Sequence, residues 1–577
     1  MHIKTAILCL LFLLATSEVL PLTWDEGESI DRANKITAWF RAARPLSYDS
    51  IREHWIFTTQ IEGHPAGYGI VIAAGHAVAK FVLPPKTAYR FGPMFLFAVA
   101  LGAVFRRVEK NIGFQAALFA VLAILLTPRL FAHAHIAACD STLTACWLLA
   151  WACFDLKTAR RTLFWGFLLG LTLSAKFTGW IAIVPFFLSL FFQKDDIVLQ
   201  KRLLRFSCGL AVALLTFFLL NPPLWLDPIH GFVRFFTLNT TRENFNISIL
   251  FLGRMYNLDH PLPWYNTIVW TAITVPAGFL FLLFYAVITS SLPAFYSLVL
   301  YLKRLENIFL GLTTPAPQEE TTPTPPEEGN CSSPPLEGCP IGRGGLSPNE
   351  HFFPVYSLCL VFHACSLLVV RAIPGTPPHD GVRLFVTAFA FLAILAGIGA
   401  GALADVRLRR VRVGFCAVIL IYGTALFNLY WYAPQWLSYY NAAIGGLSGA
   451  AHAGMEPTYY WDALDNEVAD WLEANTRPDE MVLFSASSAK TLLLKKQWGE
   501  LRTDFYRKNA KDQKGKTIRY YILQRRPSGE YPADQRLIRQ AKPVYVKTIR
   551  GFDKVPILEI YEFQDYLKAR HRSQTGS

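Results

Sequence analysis

The sequence predicts an all-α polytopic membrane protein of about eleven spanning helices with a small carboxyl-terminal α/β domain. Three observations predict it. Of the 577 residues, 53% are hydrophobic and only 17% are charged, and many windows reach the roughly 17–25 apolar residues that cross a bilayer as a helix. The basic residues gather in short connectors such as KTARR (Lys157–Arg161) and RLRRVR (Arg407–Arg412). After Trp431 the composition turns mixed and charged. The net charge of +13 therefore reads as positive-inside topology rather than nucleic-acid binding.

The first apolar run, Ala6 to Leu22 behind Lys4, reads as an uncleaved helix. A signal peptide cut near ATS is the alternative. Both put Trp24 onward on the outer side. Further runs lie near 66–83, 88–105, 112–132, 141–154, 162–175, 177–192, 206–220, 266–302, 352–370, 383–403 and 413–431. Basic connectors at Phe105–Asn111, Asp155–Arg161, Gln193–Arg205, Leu302–Asn307 and Asp405–Arg412 read as cytoplasmic. The Pro/Gly-rich loops Asn221–Phe232 and Ile373–Gly381 read as outer.

Counting crossings leaves room for one span between Leu22 and the first basic connector. The run 66–83 holds Gly67, Gly69, Gly75, His76 and Lys80 and ends in Pro84-Pro85. It is the poorer span and is expected to lie on the surface or re-enter, while 88–105 crosses. The result is a multi-pass protein of the inner (plasma) membrane, amino end cytoplasmic and carboxyl end extracytoplasmic. Four parts follow. Residues 1–302 form a catalytic membrane module with outer loops 23–87 and 221–265. Residues 303–351 form a Pro-rich cytoplasmic linker without a core. Residues 352–432 form a rear membrane module. Residues 433–577 form an extracytoplasmic α/β domain with strands at DEMVLFSAS, IRYYILQ and VPILEIYEF.

Ten cysteines show no CxxC spacing, so neither a thiolate zinc site nor a disulfide framework is expected. His133 and His135 are two apart and do not share a helical face, which argues against a metal pair.

Charged groups at the predicted outer face carry the chemistry. Asp25 and Glu26 leave the first helix and are followed by a mixed surface helix. Asp140 is a lone acid between apolar runs, where a charge faces a cavity or a partner; capping the next helix is a compatible role. Lys176 sits at an outer turn as a cation able to hold a phosphate. The loop after Asn221 carries Arg254, Tyr256, His260, Trp264 and Tyr265, and the loop before residue 383 carries Arg371, His379, Asp380 and Arg383. Rings beside polar groups suit sugars, and interfacial arginines suit lipid phosphate. A carboxylate takes the acceptor's proton and the cations neutralise a leaving phosphate. Together they describe group transfer from a lipid-linked phosphate donor.

TWDEGES (Thr23–Ser29), PRLFAHAHIAACDSTLTA (Pro128–Ala145), GLTLSAKFTG (Gly170–Gly179) and NPPLW (Asn221–Trp225) resemble the GT-C membrane glycosyltransferases, in particular the dolichyl-phosphate-mannose protein mannosyltransferase-like group with the bacterial aminoarabinose transferases. PPHDGVRLF, SYYNAAIGG and GMEPTYYWDAL look like bacterial members. The resemblance implies a polyprenyl-phosphate-sugar donor, inversion and an outer-face site. It implies Asp25 as general base, Glu26 orienting the acceptor, Asp140 as the second outer-loop acid and Lys176 near the donor phosphate. In EGHPAGYG, His64 precedes a position where Ala66 stands in place of the second proline of the family's HPP segment. No DxD pair occurs, which argues against a required divalent metal. The acceptor, whether protein, lipid or glycan, stays open. The rival readings are a polar-lipid transporter or flippase and a non-catalytic sugar-binding membrane protein.

Overall fold

The computed structural model describes residues 1–55, 63–192, 197–241, 246–289, 348–378, 380–502, 505–507, 517–550 and 554–574. Most of the expected linker therefore lies outside the described residues, as does His379.

The chain folds as a multi-pass helical membrane protein. Among the described residues, four helices are long and apolar enough to span: Pro85–Asn111, Leu199–Leu219, Gly381–Ala404 and Val413–Trp431. Two bent pairs raise the number to six, so the length criterion does not reach the eleven expected from apolar runs. Proline is the physical reason at both bends. Phe114–Leu125 and Pro128–His135 meet at 75°, and Asn266–Thr274 and Ala277–Thr289 at 115°, because Pro128 and Pro276 cannot continue the preceding hydrogen-bond ladder. Other runs form apolar helices of 10–17 residues, including His2–Ser17 and Gly67–Ala79.

The second break is repaired from a distance. Asn441, in SYYNAAIGG, donates from Nδ2 to the carbonyls of Ala272 (2.6 Å) and Val275 (2.7 Å), and its backbone N–H reaches Ile273. Carbonyls orphaned at a helix end need such partners.

Val386–Ala404 forms the axis of the bundle. It is buried almost throughout, whereas Leu199–Leu219 and Val413–Trp431 are peripheral. It packs on Phe114–Leu125 and on the helix beginning at Pro348. A Cβ at Gly397 would lie 2.2 Å from the Ala120 backbone. Small residues let helices approach this closely in a membrane. The segment Gly67–Ala79 packs against Pro85–Asn111 and Trp24–Trp39. Of the two competing runs, Pro85–Asn111 is the one long enough to span.

Beyond the membrane module, a small hairpin pairs β1 (Ile249–Phe251) with β2 (Arg254–Tyr256). The carboxyl-terminal domain carries β3 (Glu480–Phe484), β4 (Tyr506–Arg507), β5 (Thr517–Gln524), β6 (Tyr545–Thr548) and β7 (Pro556–Glu562) in the order β4-β3-β5-β7-β6. β4, β3 and β5 run parallel and β5, β7 and β6 antiparallel. Three of the five strands follow from apolar patterning. β4 is only two residues long, and β6 is a polar edge strand, so neither carries that signal.

This domain docks on the helix Trp24–Trp39 through the helix Ala489–Gln497. Thr491 Oγ1 donates to the carbonyls of Thr23 (3.0 Å) and Trp24 (3.2 Å). Lys490 bonds Glu28 and Asp31, each at 2.7 Å. A Cβ at Gly27 would lie 2.5 Å from the Thr491 backbone nitrogen, so the two helices touch only because Gly27 has none. Gly27→Ala is expected to cost about 1–3 kcal/mol as an overpacked contact. It should appear as a lowered melting temperature of the full-length protein.

Candidate active site

Thr23 begins the helix Trp24–Trp39 with a capping box closed by Glu26. The consequence is that Asp25 and Glu26, adjacent in sequence, point to different environments. Glu26 is fully buried. Its carboxylate accepts from Arg90 Nε (2.7 Å) and Nη2 (2.8 Å) and from the backbone N–H groups of Thr23 and Ala137 (both 3.1 Å). Burial works against its charge, but Arg90 prevails and holds its pKa below the usual carboxylate range. With its lone pairs spent on the cap and on Arg90, Glu26 sits outside the cavity wall that Asp25 lines.

Asp25 opens instead on a cavity of about 370 Å³. The cavity wall includes Lys176, His64, Asp380, Arg383, Trp461 and Arg526. Asp140 lies immediately behind. Its Oδ1 holds Lys176 Nζ at 2.5 Å and its Oδ2 holds Arg383 Nε at 2.8 Å. Arg383 is the hub: Nη1 pairs with Asp380 at 2.8 Å and Nη2 with Asp25. Its guanidinium also faces the Tyr460 ring at 5.3 Å. One arginine thus ties three carboxylates from three separate segments. Asp380 adopts a left-handed φ of 60°, a conformation that costs energy away from glycine and recurs at functional sites.

The two aspartates differ in access. The Asp25 side chain is 25% exposed and that of Asp140 3%. Of the two, Asp25 is the carboxylate that lines the cavity. Lys176, itself buried, has three N–H donors and gives one to Asp140.

Six expected site residues lie elsewhere. Arg371 is buried at the end of the helix Pro348–Ala372 and donates to Thr376 at 3.2 Å. Arg254, Tyr256, His260, Trp264 and Tyr265 do not line the cavity. The hairpin turns its buried strand inward, where Leu250 N–H meets Glu456 at 2.8 Å. Arg254 and His260 are then left exposed, with Trp264 64% and Tyr265 39% exposed. Among the described residues of this loop, Ile247 alone reaches the cavity. His133 and His135 diverge as expected: His135 meets Thr16 at 2.8 Å, while His133 faces the Tyr460 ring.

Sequence reasoning missed Arg526 and Trp461. Arg526 sits just past β5 in QRRPSG, a basic pair with no pattern of its own. Trp461 lies in GMEPTYYWDAL, whose aromatic and acidic residues carry no pattern that singles it out. The backbone N–H of Trp24 bonds the Tyr460 carbonyl at 3.0 Å, so this segment is fastened to the helix that carries Asp25.

Two buried acids lie in the same segment. Burial pushes Glu456 up to about 7, against the pull of Arg526, and Asp462 up to about 6. Between pH 4.5 and 7 the folded Glu456 keeps a proton that the unfolded chain releases, so stability falls as pH rises through that window. The shift from 4.5 to about 7 corresponds to about 3 kcal/mol. Glu456→Gln should therefore raise the melting temperature at pH 8 and leave it unchanged at pH 4.

Residues 63–224 match the family model for dolichyl-phosphate-mannose-protein mannosyltransferase. The chain is mannosyltransferase-like over this stretch, which contains His64, Asp140 and Lys176. Asp25, Asp380, Arg383 and Arg526 fall outside it. No curated protein matches the chain. Among solved structures, it is similar to ArnT from Cupriavidus metallidurans bound to undecaprenyl phosphate, at 13% identity and a TM-score of 0.44 with 97% of each chain covered. It is similar to the apo state of the same protein at 12% identity, a TM-score of 0.44 and the same coverage. Among the described residues no three His, Cys, Asp or Glu side chains converge as a metal site would require.

Proposed function

We propose that the chain is an integral-membrane glycosyltransferase of the GT-C type. It moves a sugar from a polyprenyl-phosphate donor to a protein, lipid or glycan acceptor at the extracytoplasmic face of the inner membrane. The observation that carries this reading is the network in which Arg383 joins Asp25, Asp140 and Asp380 while Asp140 holds Lys176. The mannosyltransferase match covers two of those residues.

In this reading the acceptor's hydroxyl or amine gives its proton to Asp25. Its oxygen or nitrogen bonds the anomeric carbon as the carbon–oxygen bond to phosphate breaks, and both electrons of that bond leave with the phosphate. In-line displacement inverts the anomeric centre. Lys176 and Arg383 take up the charge that develops on the phosphate. Because Arg383 already holds Asp25, an arriving phosphate competes for the same guanidinium. The donor thereby releases Asp25, which becomes the stronger base once the ion pair loosens. Asp140 keeps Lys176 in place and does not itself titrate in the cycle.

The test is release of polyprenyl monophosphate from a polyprenyl-phosphate-linked sugar by proteoliposomes of the full chain supplied with membrane extract as acceptor source. Wild-type protein releases it, and Lys176→Gln lowers the rate at least a hundredfold. Equal release with and without Lys176 contradicts the reading.

A further inference from the structure

Arg526 is the cavity's one contribution of positive charge from the carboxyl-terminal domain among the described residues. Its side chain is 1% exposed. Four contacts fix it: Nη1 donates to the Tyr459 carbonyl at 2.7 Å, Nε meets Ser528 Oγ at 3.3 Å and lies 3.8 Å from Glu456 Oε2, and the guanidinium lies 4.2 Å from the Trp461 ring centroid. Nη2 stands differently. It lies 3.3 Å from Asp380 Oδ1 but makes no hydrogen bond among the described residues. The indole Nε1 of Trp461 is also buried and makes none. Trp461 holds a φ of 52°, a left-handed conformation that a bulky residue adopts only when its surroundings impose it. Both residues line the cavity.

A buried guanidinium edge and a buried indole N–H are costly to leave unpaired. A fixed guanidinium matches the geometry of a phosphate or carboxylate. Asp380 is divided between the two arginines, Oδ2 to Arg383 at 2.8 Å and Oδ1 facing Arg526 Nη2 at 3.3 Å, and the second contact is an ion pair without a hydrogen bond.

We propose that Arg526 Nη2 and Trp461 Nε1 form an oxyanion-binding subsite, so that the carboxyl-terminal domain supplies part of the substrate site. The subsite takes a phosphate or carboxylate group, carried either by the lipid donor or by the acceptor. Its role in sugar transfer beside Asp25 rests on the glycosyltransferase reading, but its anion binding does not.

The experiment titrates the purified full-length protein with inorganic phosphate, followed by ³¹P line broadening, alone and after saturation with polyprenyl monophosphate. Arg526→Gln is expected to weaken inorganic phosphate at least tenfold, and Arg526→Lys to restore part of the loss. Trp461→Phe keeps the ring under Arg526 and removes only the N–H donor. It is expected to weaken phosphate about threefold or more even if Arg526→Gln fails to fold. If phosphate still binds the lipid-saturated wild type and remains sensitive to Arg526, the oxyanion belongs to the acceptor. If polyprenyl monophosphate displaces phosphate and is itself weakened by Arg526→Gln, the oxyanion belongs to the donor. Phosphate binding unchanged in both Arg526→Gln and Trp461→Phe, or absent from the wild type, overturns the subsite. Failure of the wild type to bind polyprenyl monophosphate while phosphate binding still depends on Arg526 overturns the donor reading and leaves the subsite standing.

Discussion

Asp25→Asn lowers sugar transfer by about 10²–10⁴-fold, the contribution of a positioned general base, while the melting temperature of the protein stays within a degree or two of wild type. Asparagine keeps the shape of the side chain and still offers Oδ1 to Arg383 Nη2, so the hub with Asp140 and Asp380 survives. Only the ability to take a proton is lost. The quarter exposure of Asp25, against the near-complete burial of Asp140, makes Asp25 the sensitive position. Initial rates in proteoliposomes and thermal melts on the same preparation check both halves. A variant that transfers at the wild-type rate removes Asp25 from the mechanism. One that melts far below wild type shows that its role is structural.

Arg90→Met is expected to destabilise the protein by about 3–5 kcal/mol, because it strands a buried carboxylate without its partner. Arg90 and Glu26 are both fully buried, and their side chains meet at 2.7 Å. Arg90 also donates to the carbonyls of Ser17 (2.6 Å), Leu20 (2.9 Å) and Pro21 (3.0 Å). One side chain therefore fastens the end of the first helix to the start of the helix that carries Asp25. Pairing Arg90→Met with Glu26→Gln should recover part of the loss, since the unpaired charge is removed while the three carbonyls remain unsatisfied. Melting of the full-length protein in detergent measures both. If Arg90→Met melts with wild type, Glu26 is not held as described and regains a claim on the chemistry.

Much of the candidate site was legible because ionisable groups are rare in apolar sequence and need partners there. Asp25, Asp140, Lys176, Asp380 and Arg383 stood out singly, and counting crossings put them on one predicted face. What the pattern lacked was direction. Glu26 follows Thr23 by three residues, the spacing of a capping box, and that signal was present but weighed as chemistry. Arg254, Tyr256, His260, Trp264 and Tyr265 suit sugars by residue type, yet the hairpin buries β1 and leaves Arg254 on β2 exposed, and His260, Trp264 and Tyr265 follow it in an exposed stretch of loop. Arg526 and Trp461 reach the cavity through tertiary docking of a domain whose strands carry no trace of it. The bends at Pro128 and Pro276 were not legible, because continuous apolar composition hides a break.

The claim that the cavity holds a lipid-linked sugar donor is tested most directly by mass spectrometry of lipid co-purified with the Asp25→Asn protein, in which donor binds but is not consumed. A polyprenyl-phosphate sugar is expected in the variant, depleted when Lys176→Gln is added. Bulk phospholipid alone in Asp25→Asn, or a polyprenyl-phosphate sugar retained equally without Lys176, would contradict it.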